Sequence, residues 1–389
     1  MTRDGRQAVS SSVDGGVLVL TVDNPPVNAG STAVRQGLLD GVSRLRDDAS
    51  LVGAVVVGAG GSFIAGSDLR EFGGRLPEPL LPAVITAIEQ CGKPVIAALD
   101  GHALGGGFEV ALGCHGRIGT SRLRVALPEV SLGMVTGAGA SQRLPRLVGR
   151  ETALDLILSG RRVGGAEAAD LGILDQVAEP DELLSAAVEM ARHATPRILM
   201  DEPLPDPAPS LDAIAEPYLA SIGARPQLVE SLRLVRAAGS RPPEQMLADE
   251  RSMFDTLRLG EEAAALRHLF FAGRAARKDP LSDRVRAEIV DQLTCAGGAV
   301  APDVGADPAS AAPMLTAMAA ETAELLRTGI VARPGDIDLL MVDDGGFPRH
   351  LGGPLWWATR VGDVSLERSI PPTSVDAVNA VWERVRTDG

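Results

Sequence analysis

The sequence predicts a mixed α/β fold followed by an all-helical C-terminal region. From Val13 to about Thr195, short strand-like runs alternate with segments whose apolar residues recur at helical spacing. After the proline-rich stretch Pro203–Ser210 the strand-like pattern stops, and helical segments follow at Gln227–Ala238 and Arg251–Arg277. At 389 residues with 45% hydrophobic content, the chain can bury one large core or two smaller ones.

The first region contains three strand-like runs that are β-branched and bounded by Gly, Pro or Asp: Val17–Val22, Val52–Val57 and Val95–Leu99. Between the first two, Gly30–Arg46 carries apolar residues at helical spacing and is predicted to be a helix. Arg35 and Arg44 are predicted to lie on the solvated face of this helix.

The rest of the chain divides by composition. Pro203–Ser210 is predicted to be an extended linker, and Ala299–Pro313, rich in Ala, Pro, Gly and Asp, a second loop. A helix at Met314–Thr328 and a glycine-rich tail follow. We therefore expect a core domain at 1–200, a linker and helical segment at 201–280, and a helical domain at 281–389.

Composition excludes several classes of function. A formal charge of −14 argues against a nucleic-acid binder, which needs a basic face. No apolar run approaches the roughly 20 residues that span a bilayer, so no membrane association is expected. Cys91, Cys114 and Cys295 are too few and too scattered for a disulfide framework or a metal site. The sequence therefore predicts a cytoplasmic protein without a bound metal.

The most informative motif is Ala103-Leu-Gly-Gly-Gly-Phe-Glu109, which Glu129 follows twenty positions later. Three consecutive glycines allow positive φ and a close approach of the backbone to a ligand. Phe108–Cys114 is predicted to be a short helix, whose first N–H groups have no partner inside the helix. Such N–H groups suit an oxygen that gains negative charge during a reaction, and two carboxyl groups could move protons beside it.

Together with other segments, this motif resembles the crotonase (enoyl-CoA hydratase/isomerase) superfamily. The segments that carry the resemblance, in order, are Asn24–Ala29, Phe63–Leu69, Lys93–Ala98, the triple glycine, Pro128-Glu129, Gly137–Leu144 and Leu158–Arg161. The resemblance implies a spiral core of repeated ββα units. It also implies the hydration of 2-enoyl-CoA to 3-hydroxyacyl-CoA.

The C-terminal region resembles a different family. Thr322–Pro334 and Gly335–Pro354 are similar to the C-terminal helical domain of 3-hydroxyacyl-CoA dehydrogenases. Ala264–Ala272 looks like the connecting segment of multifunctional fatty-acid oxidation enzymes. A Gly-x-Gly-x-x-Gly motif between a strand and a helix, with an acidic residue about twenty positions further on, is not found. We therefore expect no NAD cofactor and no dehydrogenase activity.

The resemblance assigns roles to individual residues. The backbone N–H groups of Ser67 and Gly106 correspond to the oxyanion hole that holds the thioester oxygen. Glu109 and Glu129 correspond to the two catalytic glutamates. One would take a proton from water, the other would help to hold that water, and a proton would reach C2. This chemistry at neutral pH requires at least one carboxyl group with a raised pKa.

The resemblance also implies which residues line the coenzyme A site. Arg70 stands where the family often has a basic residue near the adenine and the phosphates. Thr136 stands where the family commonly has proline, so the local loop and acyl-chain selectivity are expected to differ. The predicted substrate and coenzyme A contacts are Val27, Asn28, Ala29, Ala65, Gly66, Asp68, Leu69, Arg70 and Gly105.

Three functions stay open at the level of sequence. The first is a 2-enoyl-CoA hydratase with an acyl-CoA thioester as substrate, and the intact Glu109, Glu129 and triple glycine favour it. The second is another crotonase-type reaction, such as double-bond isomerisation, thioester hydrolysis or decarboxylation. The third is a non-catalytic paralogue whose C-terminal region serves an interaction. The chain is expected to be either a homo-oligomer or a monomer whose C-terminal helices cover the core.

Overall fold

The computed structural model describes residues 7–205, 211–222, 225–297, 321–322, 325–326 and 328–361. It contains two compact units, Met1–Leu259 and Gly260–Gly389. The predicted loop Ala299–Pro313 and most of the predicted helix Met314–Thr328 lie outside the described residues. Among the helices that are described, none is long and apolar enough to cross a membrane.

The described residues of the first unit form two β-sheets. Their strands are β1 (Val9–Asp14), β2 (Val17–Val22), β3 (Gly53–Gly58), β4 (Val95–Leu99), β5 (His102–Leu104), β6 (Gly116–Gly119), β7 (Arg124–Ala126), β8 (Val163–Gly164) and β9 (Gln176–Val177). The larger sheet has the order β1, β2, β3, β4, β6, β9, with β1 antiparallel to β2 and every other pair parallel. In the smaller sheet β5 pairs with β7 in parallel, and β8 is antiparallel to β7.

Nine helices lie outside these sheets in the part of the first unit that the structure describes. They are α1 (Thr32–Asp47), α2 (Leu81–Glu89), α3 (Gly106–Gly113), α4 (Ala140–Ser159), α5 (Gly165–Asp170), α6 (Leu183–His193), α7 (Leu211–Ile222), α8 (Pro226–Arg236) and α9 (Pro243–Arg258). Short 3₁₀ turns occur at Ala59–Gly61, Leu69–Gly73, Glu129–Leu132 and Leu199–Asp201.

The central strands are buried on both faces, which explains their continuous apolar sequences. Leu18 and Leu20 point into the large core cluster, whereas Val17 and Val19 pack in a second cluster with residues of α6. The predicted strands at Val17–Val22 and Val95–Leu99 coincide with β2 and β4. The mixed α/β fold expected from the sequence is thus confirmed.

Arg35 does not lie on a solvated face, so that prediction was wrong. The residue is only 5% exposed, and its side chain donates to the carbonyl oxygen of Pro79 at 2.6 Å and to Glu71 at 2.8 Å. The segment that contains these acceptors folds over the start of α1, a contact that helical periodicity cannot reveal. Arg44 is exposed, as predicted.

Helices α7 to α9 belong to the first unit, so the observed division differs from the predicted boundaries at 200 and 280. The Gln142 side chain on α4 donates to the carbonyl oxygen of Leu234 on α8 at 3.1 Å. Leu228, Leu232 and Val235 of α8 are buried in the same core cluster as the sheet. Because this amphipathic helix buries its apolar face there, the observed boundary falls at Leu259.

The described part of the second unit is helical, as predicted. It contains α10 (Glu261–Lys278), α11 (Asp283–Gly297), α12 (Pro334–Asp343), a 3₁₀ turn (Arg349–Leu351) and α13 (Pro354–Val361). Its own core includes Ile289, Leu293, Ile337, Met341 and Phe347. Asp338 is fully buried, where it contacts Nε2 of His268 at 2.8 Å and accepts from the Leu355 N–H at 2.8 Å.

Candidate active site

The triple glycine forms a tight turn between β5 and α3. Gly105 has φ 50° and ψ −126°, which a residue with a side chain rarely adopts, and a Cβ there would lie 2.7 Å from Oε1 of Glu129. A Cβ on Gly106 would overlap the Ser67 side chain, and a Cβ on Gly107 would overlap the carbonyl oxygen of Ile64. Each of the three glycines is therefore required by a different neighbour.

The segment containing Ser67 lies directly against this turn. The Leu104 N–H donates to the carbonyl oxygen of Ile64 at 3.1 Å, and the Gly30 N–H donates to that of Gly66 at 2.8 Å. Gly106 begins α3, so its N–H has no acceptor inside the helix. Within the described residues, neither the N–H of Ser67 nor that of Gly106 donates to a hydrogen-bond acceptor. The two N–H groups predicted to form an oxyanion hole are thus brought together and available.

Glu109 lies in the first turn of α3 and is 3% exposed. Its Oε1 accepts hydrogen bonds from the backbone N–H groups of Ala138 at 2.7 Å and Ala140 at 3.2 Å. Burial raises the pKa of Glu109 to about 7, the negative charge of Glu250 adds to this effect, and the two N–H groups oppose it. The carboxyl group can therefore exchange a proton near neutral pH.

Glu129 begins the 3₁₀ turn Glu129–Leu132 and is 8% exposed. Its Oε2 is buried and has no hydrogen-bond partner among the described residues. Burial raises the pKa of Glu129 well above its usual range, and the charge of Glu109 raises it further. Burial therefore favours the protonated form of this carboxyl group, which can donate a proton to a ligand.

The raised pKa of Glu109 predicts a pH-dependent stability. An unfolded glutamate has a pKa of about 4.3, so the folded chain binds more protons between that pH and about 7. The stabilisation is therefore full below the unfolded pKa and is lost as the pH rises through the folded pKa. Relative to a Glu109→Gln variant, we expect the wild-type free energy of unfolding to fall by up to about 1.4 kcal/mol per pH unit in this window.

Urea unfolding of both proteins at several pH values from 5 to 8 measures this difference. Glu151→Gln is a suitable control, because Glu151 is an exposed glutamate on α4. The free energy of unfolding of this variant should equal that of the wild type at every pH. A difference between wild type and Glu109→Gln that stays constant across the window would contradict the shifted pKa.

A third carboxyl group, which the sequence analysis missed, belongs to this site. Glu250 of α9 is fully buried and accepts from the Gly139 N–H at 2.7 Å and the Ser141 N–H at 3.1 Å. The Ser141 hydroxyl donates to it as well. A signal exists in the sequence, because Glu250 occupies a position on the buried stripe of α9 between Met246 and Phe254.

A buried ion pair, also missed, supports the loop that carries Glu109's donors. Arg143 donates to both carboxylate oxygens of Glu89, at 2.7 and 2.8 Å, and to the carbonyl oxygen of Ala138 at 2.8 Å. Arg143 is 2% exposed and Glu89 is 7% exposed. The pair therefore fixes the residue whose N–H group holds Glu109.

Val27–Ala29, the segment predicted to border coenzyme A, lies beside the segment that contains Ser67. The Ala65 N–H donates to the carbonyl oxygen of Val27 at 3.3 Å. Asn28, with a φ of 53°, donates from its side chain to the carbonyl oxygens of Ala59 at 2.9 Å and Ser62 at 2.8 Å. The Asn28 side chain is thus used inside the protein and holds the segment in place.

The remaining predicted contact residues divide into buried and accessible groups. Asp68 accepts two hydrogen bonds from the Arg70 guanidinium, at 2.8 and 2.6 Å, while the Arg70 side chain stays 55% exposed. Arg70 is therefore oriented and still reachable by a phosphate. Thr136 is buried at 2% exposure. Within the described residues, no cluster of three His, Cys, Asp or Glu side chains could hold a metal ion.

Comparison with known proteins places this site in a family context. Residues 12–200 match the family model described as enoyl-CoA hydratase/isomerase. A probable enoyl-CoA hydratase of Bacillus subtilis (strain 168) is 40% identical over 192 residues, which cover 47% of this chain and 74% of that protein. The peroxisomal bifunctional enzyme of Danio rerio is 41% identical over 271 residues, which cover 67% of this chain. The match spans only 37% of that bifunctional relative's length.

A solved structure supports the fold. The enoyl-CoA hydratase/isomerase from Pseudoalteromonas atlantica T6c aligns with a TM-score of 0.52 and 23% sequence identity, covering 68% of this chain and 96% of that one. At this identity the likeness concerns the fold and not the chemistry. The architecture implied by the sequence motifs is confirmed.

Proposed function

We propose that this chain, which belongs to the enoyl-CoA hydratase/isomerase family, adds water to 2-enoyl-CoA and forms 3-hydroxyacyl-CoA. The observation that carries the proposal is the pairing of two buried carboxyl groups of different environment beside two free backbone N–H groups. Glu109 accepts two hydrogen bonds on one oxygen, whereas Oε2 of Glu129 has no partner among the described residues. One group thus suits a base and the other an acid.

The backbone N–H groups of Ser67 and Gly106 act on the thioester carbonyl oxygen. During hydration, electron density moves from the C2–C3 double bond toward that oxygen, which becomes enolate-like. Two fixed N–H donors stabilise this charge without reorganisation, and removing one such donor costs on the order of 3 kcal/mol in other enzymes. The three tightly packed glycines keep the Gly106 donor rigidly in position.

Glu109 acts as the base and Glu129 as the acid. As the water oxygen bonds to C3, the Glu109 carboxylate takes one proton from that water. The electron pair of the double bond moves to C2 and the thioester, and the Glu129 carboxyl group then delivers its proton to C2. The net addition is one hydroxyl group and one hydrogen atom, and solvent exchange restores both glutamates. The different environments support this assignment: two N–H groups favour the ionised form of Glu109, whereas burial favours the protonated form of Glu129, whose Oε2 has no partner among the described residues.

We assign coenzyme A recognition to the surface beside Ala65–Ser67. Arg70, held by Asp68 yet half exposed, can pair with a phosphate. The backbone of Val27 to Ala29 lies against the Ala65–Ser67 segment that reaches the thioester. Hydration leaves the oxidation state of the substrate unchanged overall, so the proposed reaction uses no nicotinamide cofactor.

The first experiment is the loss of absorbance at the enoyl-thioester band with crotonyl-CoA and with a longer enoyl-CoA, without NAD. We expect rapid loss and a product heavier by one water, and the ratio of the two rates gives the chain-length preference. Acyl-CoA binding without absorbance loss would contradict hydration and favour isomerisation or hydrolysis. A chain that binds no acyl-CoA would support the non-catalytic alternative.

Cellular location and assembly belong to the proposal too. The cytoplasmic location expected from the sequence stays a prediction, because several relatives carry "peroxisomal" or "glyoxysomal" in their names. The choice between a homo-oligomer and a monomer covered by its own C-terminal helices also stays a prediction. Size-exclusion chromatography with light scattering distinguishes the two.

A further inference from the structure

Two buried carboxyl groups accept hydrogen bonds, in an alternating pattern, from four consecutive residues where the chain enters α4. The N–H groups of Ala138 and Ala140 point to Oε1 of Glu109, whereas those of Gly139 and Ser141 point to the two oxygens of Glu250. The start of an α-helix offers N–H groups without intrahelical acceptors and favours negative charge. Here the N–H groups donate hydrogen bonds to two glutamates, Glu109 on one side and Glu250 on the other.

Helix α9 is fitted closely around this turn. A Cβ on Gly137 would lie 2.5 Å from Cγ of Phe254, and a Cβ on Gly139 would lie 2.7 Å from Cδ2 of Leu247. Leu247 and Phe254 lie about one helical turn before and after Glu250. Gly139 itself has φ 101°, a conformation that glycine adopts without strain. The turn and α9 therefore fit each other through backbone as well as through Glu250.

We propose that Glu250 is a positioning residue that holds the 137–141 turn against Glu109 and places a negative charge behind that carboxyl group. The role rests on the proposed hydratase function. Glu250 lies outside residues 12–200, the part that matches the family model. A helix beyond the family domain thus contributes a charged group to the catalytic site.

The charges around Glu109 determine the sign of the expected effect. Glu250 on α9 and Glu129 on the 3₁₀ turn are acidic, and Arg143 on α4 is basic but bonded to Glu89 of α2. Glu250→Gln removes the charge but keeps one side-chain oxygen that can accept from the turn, so Arg143 and the two N–H donors to Glu109 should stay in place. Glu109 should then lose its proton at a lower pH, since less repulsion opposes its ionisation.

The test follows the ionisation of Glu109 directly. Carbon-13 NMR of protein labelled at the glutamate carboxyl carbon gives the titration, and the Glu109 signal is the one absent from Glu109→Gln. In Glu250→Gln we expect the midpoint to fall by about one pH unit. The low-pH limb of the kcat/KM profile for crotonyl-CoA hydration should move in the same direction. An unchanged Glu109 midpoint would overturn the proposal.

A second variant gives an effect of opposite sign. Ser141→Ala removes the hydroxyl donor that partly compensates the Glu250 charge, so the Glu109 midpoint should rise. A purely structural role would leave the midpoint unchanged, or move it the same way in both variants, and either result counts against the proposal. If Glu250→Gln does not fold, the titration of Glu109 in Ser141→Ala tests the proposal by itself: a rise of the midpoint supports it, and no rise overturns it.

The matched control is Glu244→Gln, which removes an exposed carboxylate from the same helix. It should leave both the titration and the rate profile at their wild-type values. The two hypotheses stay separable: a wild-type chain that hydrates no enoyl-CoA refutes the proposed function, whereas the Glu109 titration still tests the role of Glu250.

Discussion

Glu129→Gln should lower kcat for crotonyl-CoA hydration by about 10²- to 10⁴-fold, the range that general acid–base catalysis contributes. The amide is nearly isosteric with the carboxylic acid but has no proton of suitable acidity to give to C2. Oε2 of Glu129 has no partner among the described residues, so this substitution breaks no hydrogen bond to that atom. We therefore expect the fold and the affinity for enoyl-CoA to be retained.

The measurement combines initial rates with the dissociation constant for a non-reactive acyl-CoA. A loss confined to kcat identifies Glu129 with the chemical step, whereas a parallel loss of binding would indicate a structural role. Glu151→Gln, which alters an exposed glutamate of α4, should leave kcat unchanged. Wild-type turnover in Glu129→Gln would refute the assignment of the acid.

The sequence could predict those parts of the site that depend on local motifs. The triple glycine, Glu109 and Glu129 are close in the chain. Gly105 lies near Glu129 because β5 pairs with β7, and the 3₁₀ turn that begins at Glu129 follows β7. The central strands were predictable for a similar reason. Continuous β-branched runs such as β2 and β4 are typical of strands that are covered on both faces.

The parts that escaped prediction depend on contacts between distant segments. Glu250 is 141 positions from Glu109 in the chain, and its role appears only when α9 packs on the start of α4. Arg35 was expected in solvent because a helical pattern records the polarity of a residue but not the segment that will cover it. In both cases a charged side chain bonds to backbone groups of a distant segment, and Arg35 pairs with the Glu71 carboxylate as well. The residue types near Glu250 or Arg35 in the sequence do not identify these partners.

Removal of Arg143 would leave its buried partner Glu89 as an unpaired charge, so we expect a large loss of stability. Arg143→Met should lower the free energy of unfolding by about 3–5 kcal/mol, the usual cost of leaving one buried charge without its partner. Glu89 would keep its burial but lose both donors, at 2.7 and 2.8 Å. The carbonyl oxygen of Ala138 would lose the hydrogen bond that Arg143 donates to it.

Urea unfolding compares three variants. Arg161→Met breaks an exposed ion pair, in which Arg161 and Glu167 have side chains 40% and 45% exposed, and should cost less than about 1 kcal/mol. The double variant Arg143→Met with Glu89→Met should recover most of the loss, since two apolar side chains leave no buried charge unpaired. A single Arg143→Met variant as stable as wild type would show that Glu89 finds another partner. If stability recovers in the double variant while hydration stays impaired, the pair is needed chiefly to hold Ala138 against Glu109.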